Sequence, residues 1–215
     1  MYVTAFFITQ RQTTPLLSIA PSIMGEDLTR SGGGRSGNIP SFNQKRNMAT
    51  ELKNLSSYDP TKVASGKGRR VGIVYAEWND EITYALRDGA VKTLIENGVE
   101  ESDITLASVP GSFELIFGAA QMVKSGNYDA VIAIGCVIRG DTPHFDYICE
   151  GVTAGLSRLN VEYDVPVIFG LITTNNLLQA QERSGGRLGN KGDECAITAL
   201  QMMAQFKKQI NGLAL

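Results

Sequence analysis

The chain has 215 residues, of which 43% are hydrophobic and 20% charged, proportions of a globular protein rather than of a disordered chain, a collagen-like rod or a coiled coil. Its 20 Lys and Arg against 22 Asp and Glu leave a formal charge of -2, which offers nucleic acid or an anionic membrane no general attraction, and no apolar run approaches the roughly 18 residues of a bilayer span. Three cysteines, Cys136, Cys149 and Cys195, are an odd number without C-x-x-C spacing, which argues against a disulfide framework and a zinc knuckle and for a reducing, cytoplasmic compartment.

Residues 1–70 are rich in Ser, Thr, Gly, Asn and Pro and show no sustained periodicity, so the packed domain is expected over 71–215. Residues 1–47 hold five basic and two acidic groups, +3 against -5 for the rest. They read as a disordered or mis-assigned extension with Met48 as an alternative start, or, because the first 25 residues contain no acid, as a plastid-like transit segment. Ser31 to Gly37 is expected to be flexible linker, since no strand precedes it and no Lys-Ser/Thr follows.

Val71 to Ala76 is a short apolar run and predicts a strand; Asp80 to Asn97 has apolar residues at helical spacing and is closed by Gly98. Ile104 to Val109 predicts a second strand, Phe113 to Lys124 a second helix, and Ala130 to Ile138 a continuous apolar third strand. Phe145 to Leu159 is a third helix, Val165 to Leu171 a fourth strand, and helices near Leu177 to Arg183 and Asp193 to Gln209 complete the chain. Strands alternating with helices, and apolar along their length, imply an α/β, flavodoxin-like three-layer sandwich: a four-stranded parallel sheet, order 2-1-3-4, covered on both faces.

In such a sheet, ligands bind beyond the carboxyl ends of the strands, where the unusual residues of this chain collect. His144 is the only histidine; at a helix start it is a candidate for proton transfer, or simply a surface residue. Asp141 and Thr142 suit capping of that helix, an anion site at its N-terminus, or both. Trp78, the sole tryptophan, offers a stacking face or closes the core edge. Phe113 and Glu114 follow a Pro-Gly turn, where the carboxylate suits ligand hydroxyls or the helix dipole. Arg183, Arg187 and Lys191 bring three cations into a glycine-rich stretch that suits phosphate or is an ordinary solvated loop. No Walker, G-x-G-x-x-G, G-x-S-x-G or H-E-x-x-H pattern occurs, so neither a metal nor a nucleotide cofactor is expected.

Four stretches in fixed order, VPGSFEL (109–115), GCVIRGDTPHFDYI (135–148), FGLITTNNLLQAQERSG (169–185) and GNKGDECAITALQM (189–202), resemble the 6,7-dimethyl-8-ribityllumazine synthase family over residues 71–207. The resemblance implies a cofactor-free transferase of riboflavin biosynthesis that condenses 5-amino-6-(D-ribitylamino)uracil with 3,4-dihydroxy-2-butanone 4-phosphate. It further implies that Trp78 stacks on the pyrimidine, that Ser112, Phe113 and Glu114 line the ribityl and ring pocket, and that Cys136, Val137 and Ile138 give backbone contacts. Asp141 and Thr142 would hold phosphate, His144 transfer protons, Arg183 bind phosphate, Phe169 form a second aromatic wall, and Lys191 add a basic group. Assembly as a pentamer or 60-subunit shell is implied, with Phe169, Arg183 and Lys191 facing the other loops across a subunit boundary, residues 48–70 forming an arm on a neighbour, and riboflavin synthase as a possible associate. A riboflavin synthase of the same fold and a non-catalytic lumazine- or flavin-binding shell are the alternatives. The chain departs from the family at Trp78, where phenylalanine is frequent, at Ile116, where proline is frequent, and at Pro143, which removes an N–H beside the expected phosphate site.

Overall fold

The computed structural model describes Asn54 and residues 56–210, so the expectations for 1–47, Met48 and the Ser31 to Gly37 linker lie outside the described residues. Four strands, β1 (Val71–Ala76), β2 (Ile104–Val109), β3 (Ala130–Ile138) and β4 (Val167–Thr174), form one parallel sheet in the order β2-β1-β3-β4, as expected. Helices α1 (Asp80–Glu96), α2 (Leu115–Lys124), α3 (His144–Glu162), α4 (Leu177–Gln181) and α5 (Lys191–Ile210) connect and cover it. A short antiparallel hairpin, β5 (Ser184–Gly186) with β6 (Gly189–Asn190), stands between α4 and α5.

The period of two along the strands divides the core. Ile73, Ile132 and Ile134 pack with Leu86, Leu94 and Leu200 of α1 and α5, while Val74, Val131 and Ala133 pack with Leu115, Val152 and Leu156 of α2 and α3. The first two crossovers, α1 and α2, therefore lie on opposite faces, as winding of one hand from β1 out to β2 and back to β3 requires, and α3 stays on the face of α2 as the sheet continues to β4. Each fully buried Leu or Ile in these two clusters contributes about 1.5–3 kcal/mol of transfer free energy.

Two expectations about the strands need correction. β4 begins at Val167 and runs on to Thr174, later than expected at both ends. Pro166 has no N–H to give; beyond it, the Asn160 side chain on α3 pairs with both the N–H and the C=O of Val167, and Thr173 and Thr174 continue the ladder opposite Val137 and Ile138. Nor is every strand covered on both faces: β2 is a half-exposed edge, with Leu106 beside Val91 and Ile95 of α1 in an open groove. Its sequence, ITLASV, is not apolar along its length: Thr105 and Ser108 are exposed, as suits an edge strand.

Ahead of the sheet, residues 56–70 hold to their own chain. The Asn190 N–H donates to the Ser56 hydroxyl at 2.8 Å, the Gly66 N–H to the Asn97 carbonyl, and the Arg70 N–H to the Asp129 carboxylate. None of the described helices is long and apolar enough to cross a membrane.

Candidate active site

The carboxyl ends of β1, β2 and β3 and the first turns of α1, α2 and α3 enclose a cleft of about 570 Å³, within the usual range for small organic ligands. Its floor is the end of β3. Gly135 is needed there because a Cβ would press on the side chains of Ser112, Leu115 and Leu171. Just beyond it, the Cys136 carbonyl accepts hydrogen bonds from the Asn79 side-chain amide at 3.0 Å and from the Ser112 hydroxyl at 3.5 Å. Two post-strand loops, those after β1 and β2, are thereby tied to one carbonyl of β3.

Asn79 is the only described non-glycine residue with positive φ, at φ 63°, ψ 46°, and its carbonyl accepts the N–H groups of Ile82 and Thr83 as α1 begins. This left-handed turn leaves Trp78 73% exposed at the mouth, so its ring does not close the core edge. Phe113 lies against α3 at Gly151, where a Cβ would meet the Phe113 ring, and is half exposed toward the cleft. Glu114 is the N-cap residue of α2, without a side-chain cap hydrogen bond, and its carboxylate folds back over Gly111.

α3 starts at His144, whose exposed imidazole forms no hydrogen bond with a described residue. Pro143 is its N-cap, and neither Asp141 nor Thr142 caps it, contrary to the capping expected for them, because the turn at Pro143 (φ -62°, ψ -3°) already enters the helix. The orphan N–H groups of that first turn and the helix dipole make this end favourable to an anion. Burial pushes the Cys136 thiol up to about 12, so it stays protonated near neutrality and offers the cleft its backbone rather than a thiolate nucleophile.

Of the residues singled out in the sequence, the structure brings together Trp78, Ser112, Phe113, Glu114, Cys136, Val137, Ile138 and His144 as lining of this cleft. Asp141 and Thr142 stand exposed beside it on the loop before α3. Phe169, Arg183 and Lys191 do not line it. Phe169 lies on β4, paired with Ala133 and partly exposed. The glycine-rich stretch is the β5–β6 hairpin rather than a loop, and it sets the Lys191 N–H on the Arg183 carbonyl at 2.8 Å. The Arg183 guanidinium donates to the Gln179 carbonyl, and Lys191 pairs with Glu194 at 2.6 Å. Asn79 and Ile148 also line the cleft. Ile148, missed in the sequence, is four residues after His144 and therefore on the same helical face, which was the available signal. No cluster of His, Cys, Asp and Glu suited to a metal ion occurs among the described residues.

Residues 68–207 match the family model described as 6,7-dimethyl-8-ribityllumazine synthase. The chain is 59% identical over 163 residues to the 6,7-dimethyl-8-ribityllumazine synthase of Phocaeicola vulgatus, covering 76% of this chain and 96% of the relative. It is 62% identical over 134 residues to that of Bacteroides fragilis, 62% of this chain and 94% of the relative. It is 55% identical over 155 residues to that of Flavobacterium johnsoniae, 72% of this chain and 82% of the relative.

Proposed function

The chain belongs to the 6,7-dimethyl-8-ribityllumazine synthase family, and from that premise we propose that the cleft beyond β1, β2 and β3 is where its reaction takes place. The protein is a transferase of riboflavin biosynthesis that condenses 5-amino-6-(D-ribitylamino)uracil with 3,4-dihydroxy-2-butanone 4-phosphate to 6,7-dimethyl-8-ribityllumazine. The observation that carries the assignment of the site is the convergence of aromatic, carboxylate, backbone and imidazole groups on one cleft next to an uncapped helix N-terminus.

In this reading Trp78 stacks on the pyrimidine, and the backbone of Cys136, Val137 and Ile138 holds the ring edge. Phe113 and Ser112 line the ribityl side, with Glu114 accepting from its hydroxyls. Asp141, Thr142 and the first turn of α3 receive the phosphate. The uracil amine attacks the ketone, water is lost to form the Schiff base, phosphate leaves, and ring closure expels a second water. Holding two reactants in one cleft supplies much of the rate, since intramolecular arrangement alone is worth roughly 7–11 kcal/mol in favourable cases. His144 relays protons between these steps, and helix N–H groups stabilise the departing phosphate.

Phe169, Arg183 and Lys191 complete the site from a neighbouring subunit in a pentamer or in a 60-subunit shell. Supporting that, Phe117, Tyr147, Val161 and Leu178 are large apolar side chains left exposed on the single chain, where a neighbouring subunit could cover them. The open edge of β2 offers a surface for a neighbouring subunit to cover. Riboflavin synthase is the proposed associate of the shell, and the cytoplasm the compartment, with a plastid-like organelle if residues 1–47 are a transit segment.

The experiment is to mix the purified protein with both substrates and follow lumazine absorbance together with released phosphate, against His144→Ala. Product with stoichiometric phosphate and a slowed mutant supports the assignment; a mutant as fast as the parent removes His144 from the mechanism, and no product from a folded, assembled protein overturns the site.

A further inference from the structure

The loop that carries Asp141 and Thr142 has almost nothing of its own to hold it. Gly140, Asp141, Thr142 and Pro143 are all exposed, and Gly140, Asp141 and Thr142 make no hydrogen bond or ion pair among the described residues. A Cβ at Gly140 would meet no atom within 4 Å. At one end, the Arg139 N–H donates to the Thr174 carbonyl at 2.8 Å, extending the β3–β4 ladder; at the other, α3 begins. A single side-chain link spans the gap. The Arg139 guanidinium grips Asp146, in the first turn of α3, with both prongs, Nη2 to Oδ1 at 2.9 Å and Nη1 to Oδ2 at 3.3 Å. The same guanidinium stacks over the Phe145 ring at 4.0 Å.

We propose that Arg139 and Asp146 are positioning residues, a strap that closes the Gly140–Pro143 loop and fixes the first turn of α3. Asp141, Thr142 and His144 then meet the phosphorylated substrate in one arrangement. The inference rests on the reading of this cleft as the condensation site. An exposed ion pair adds little to global stability, and this one is partly exposed on both sides. What distinguishes it is geometry: a bidentate fork, stacked on a ring, fixes direction as well as distance. Direction matters because a displacement of about 1 Å at a reacting group can cost about a hundredfold in rate.

A competing role for Arg139 is to bind the phosphate directly, and the two roles give opposite signs for Asp146. A direct ligand is freed when its carboxylate partner is removed, so phosphate binds more tightly; a strap is cut, so phosphate binds more weakly.

The test uses the full chain in its native assembly, with Arg139→Ala, Arg139→Lys, Asp146→Ala and the Arg139→Ala/Asp146→Ala double variant. Steady-state constants for both substrates, calorimetric affinity for inorganic phosphate, and hydrogen exchange across 139–148 are measured. Arg139→Ala and Asp146→Ala should each raise KM for the butanone phosphate about fivefold or more, with the double variant no worse than the weaker single, as for residues acting as one unit. KM for the aminouracil should stay within about twofold, Arg139→Lys should fall between parent and Arg139→Ala, and exchange should rise only over the loop and first turn. Tighter phosphate binding in Asp146→Ala, additive singles, or equal rises in both KM values with a lowered melting temperature overturns the strap. If the parent protein forms no lumazine, the functional reading fails by itself, and the strap still stands or falls on phosphate affinity and exchange.

Discussion

Asn79 is the residue whose replacement separates backbone strain from side-chain bonding in this site. Its left-handed conformation costs most L residues about 1–2 kcal/mol, and asparagine and glycine tolerate it best. Its amide also donates to the Cys136 carbonyl at 3.0 Å, a bond worth about 1 kcal/mol. Asn79→Ala loses the bond and adds strain, about 2 kcal/mol together; Asn79→Gly loses the bond without the strain, about 1 kcal/mol. The difference of about 1 kcal/mol corresponds to roughly 2–4 °C in melting temperature for a domain of this size, measurable by calorimetry on the assembled protein at one fixed concentration. Both variants should raise KM for the aminouracil, since both untie the Trp78 turn from the cleft floor. An alanine variant that melts at or above the glycine variant would falsify the strain argument; an unchanged KM in both would show that the Asn79 bond does not hold Trp78 in place.

Gly192→Ala should be among the most damaging single-methyl additions, because its Cβ would collide with the Leu86 carbonyl where α1 and α5 cross; an overpacking cost of about 1–3 kcal/mol is expected, and a parental melting temperature would refute that close contact. The thiols of Cys136 and Cys195 are each pushed from 9.0 up to about 12 by burial, so an unfolded chain releases their protons at lower pH than the folded one. Their contribution to stability is whole below pH 9 and is lost as pH rises toward 12, at up to about 1.4 kcal/mol per pH unit for each thiol; denaturant midpoints that do not fall between pH 9 and 10, or that fall equally in Cys136→Ala/Cys195→Ala, would count against it. Arg183→Ala should raise KM for the butanone phosphate about tenfold while leaving that for the aminouracil within about twofold, and unaltered constants for both would remove Arg183 from phosphate binding.

Three of the four strands have the bounds expected from sequence, since VGIVYA, ITLASV and AVIAIGCVI are short runs ended by turn residues. β4 was misjudged because Pro166 and the Asn160 bracket act through tertiary contact. The β5–β6 hairpin was illegible: its strands are three and two residues long, contain almost no side chain to alternate, and carry Gly185 and Gly189 at positive φ on either side of the turn at Arg187 and Leu188. The cleft was legible wherever chemistry follows a strand end, which is why Trp78, Phe113, Glu114 and His144 could be placed beside one another without coordinates, whereas Ser112 entered only through the family resemblance. The left-handed turn at Asn79 was not, because an asparagine tolerates that conformation without announcing it.

The charges around the cleft bear on how the site is completed. A cation would strengthen the hold of the α3 N-terminus on a phosphate ester, yet no Lys or Arg is among the residues lining the cleft. Of the nearby candidates, Arg139 is committed to Asp146 and Lys191 to Glu194. Arg183 has no carboxylate within ion-pair distance among the described residues; its guanidinium donates only to the Gln179 carbonyl, on the hairpin side of the fold. The other half of the cleft is open, with Trp78 and Phe113 presenting aromatic faces to solvent. Walls that carry a carboxylate but no cation on one side and an uncommitted cation on the other suit the proposal that two chains meet at the site. If the site is divided in this way, as proposed, it works only while the assembly holds together. Dilution or mild denaturant that separates subunits without unfolding them should therefore abolish turnover of the phosphorylated substrate before the fold melts, whereas a separated, folded chain that retains full activity would place the whole site within one subunit.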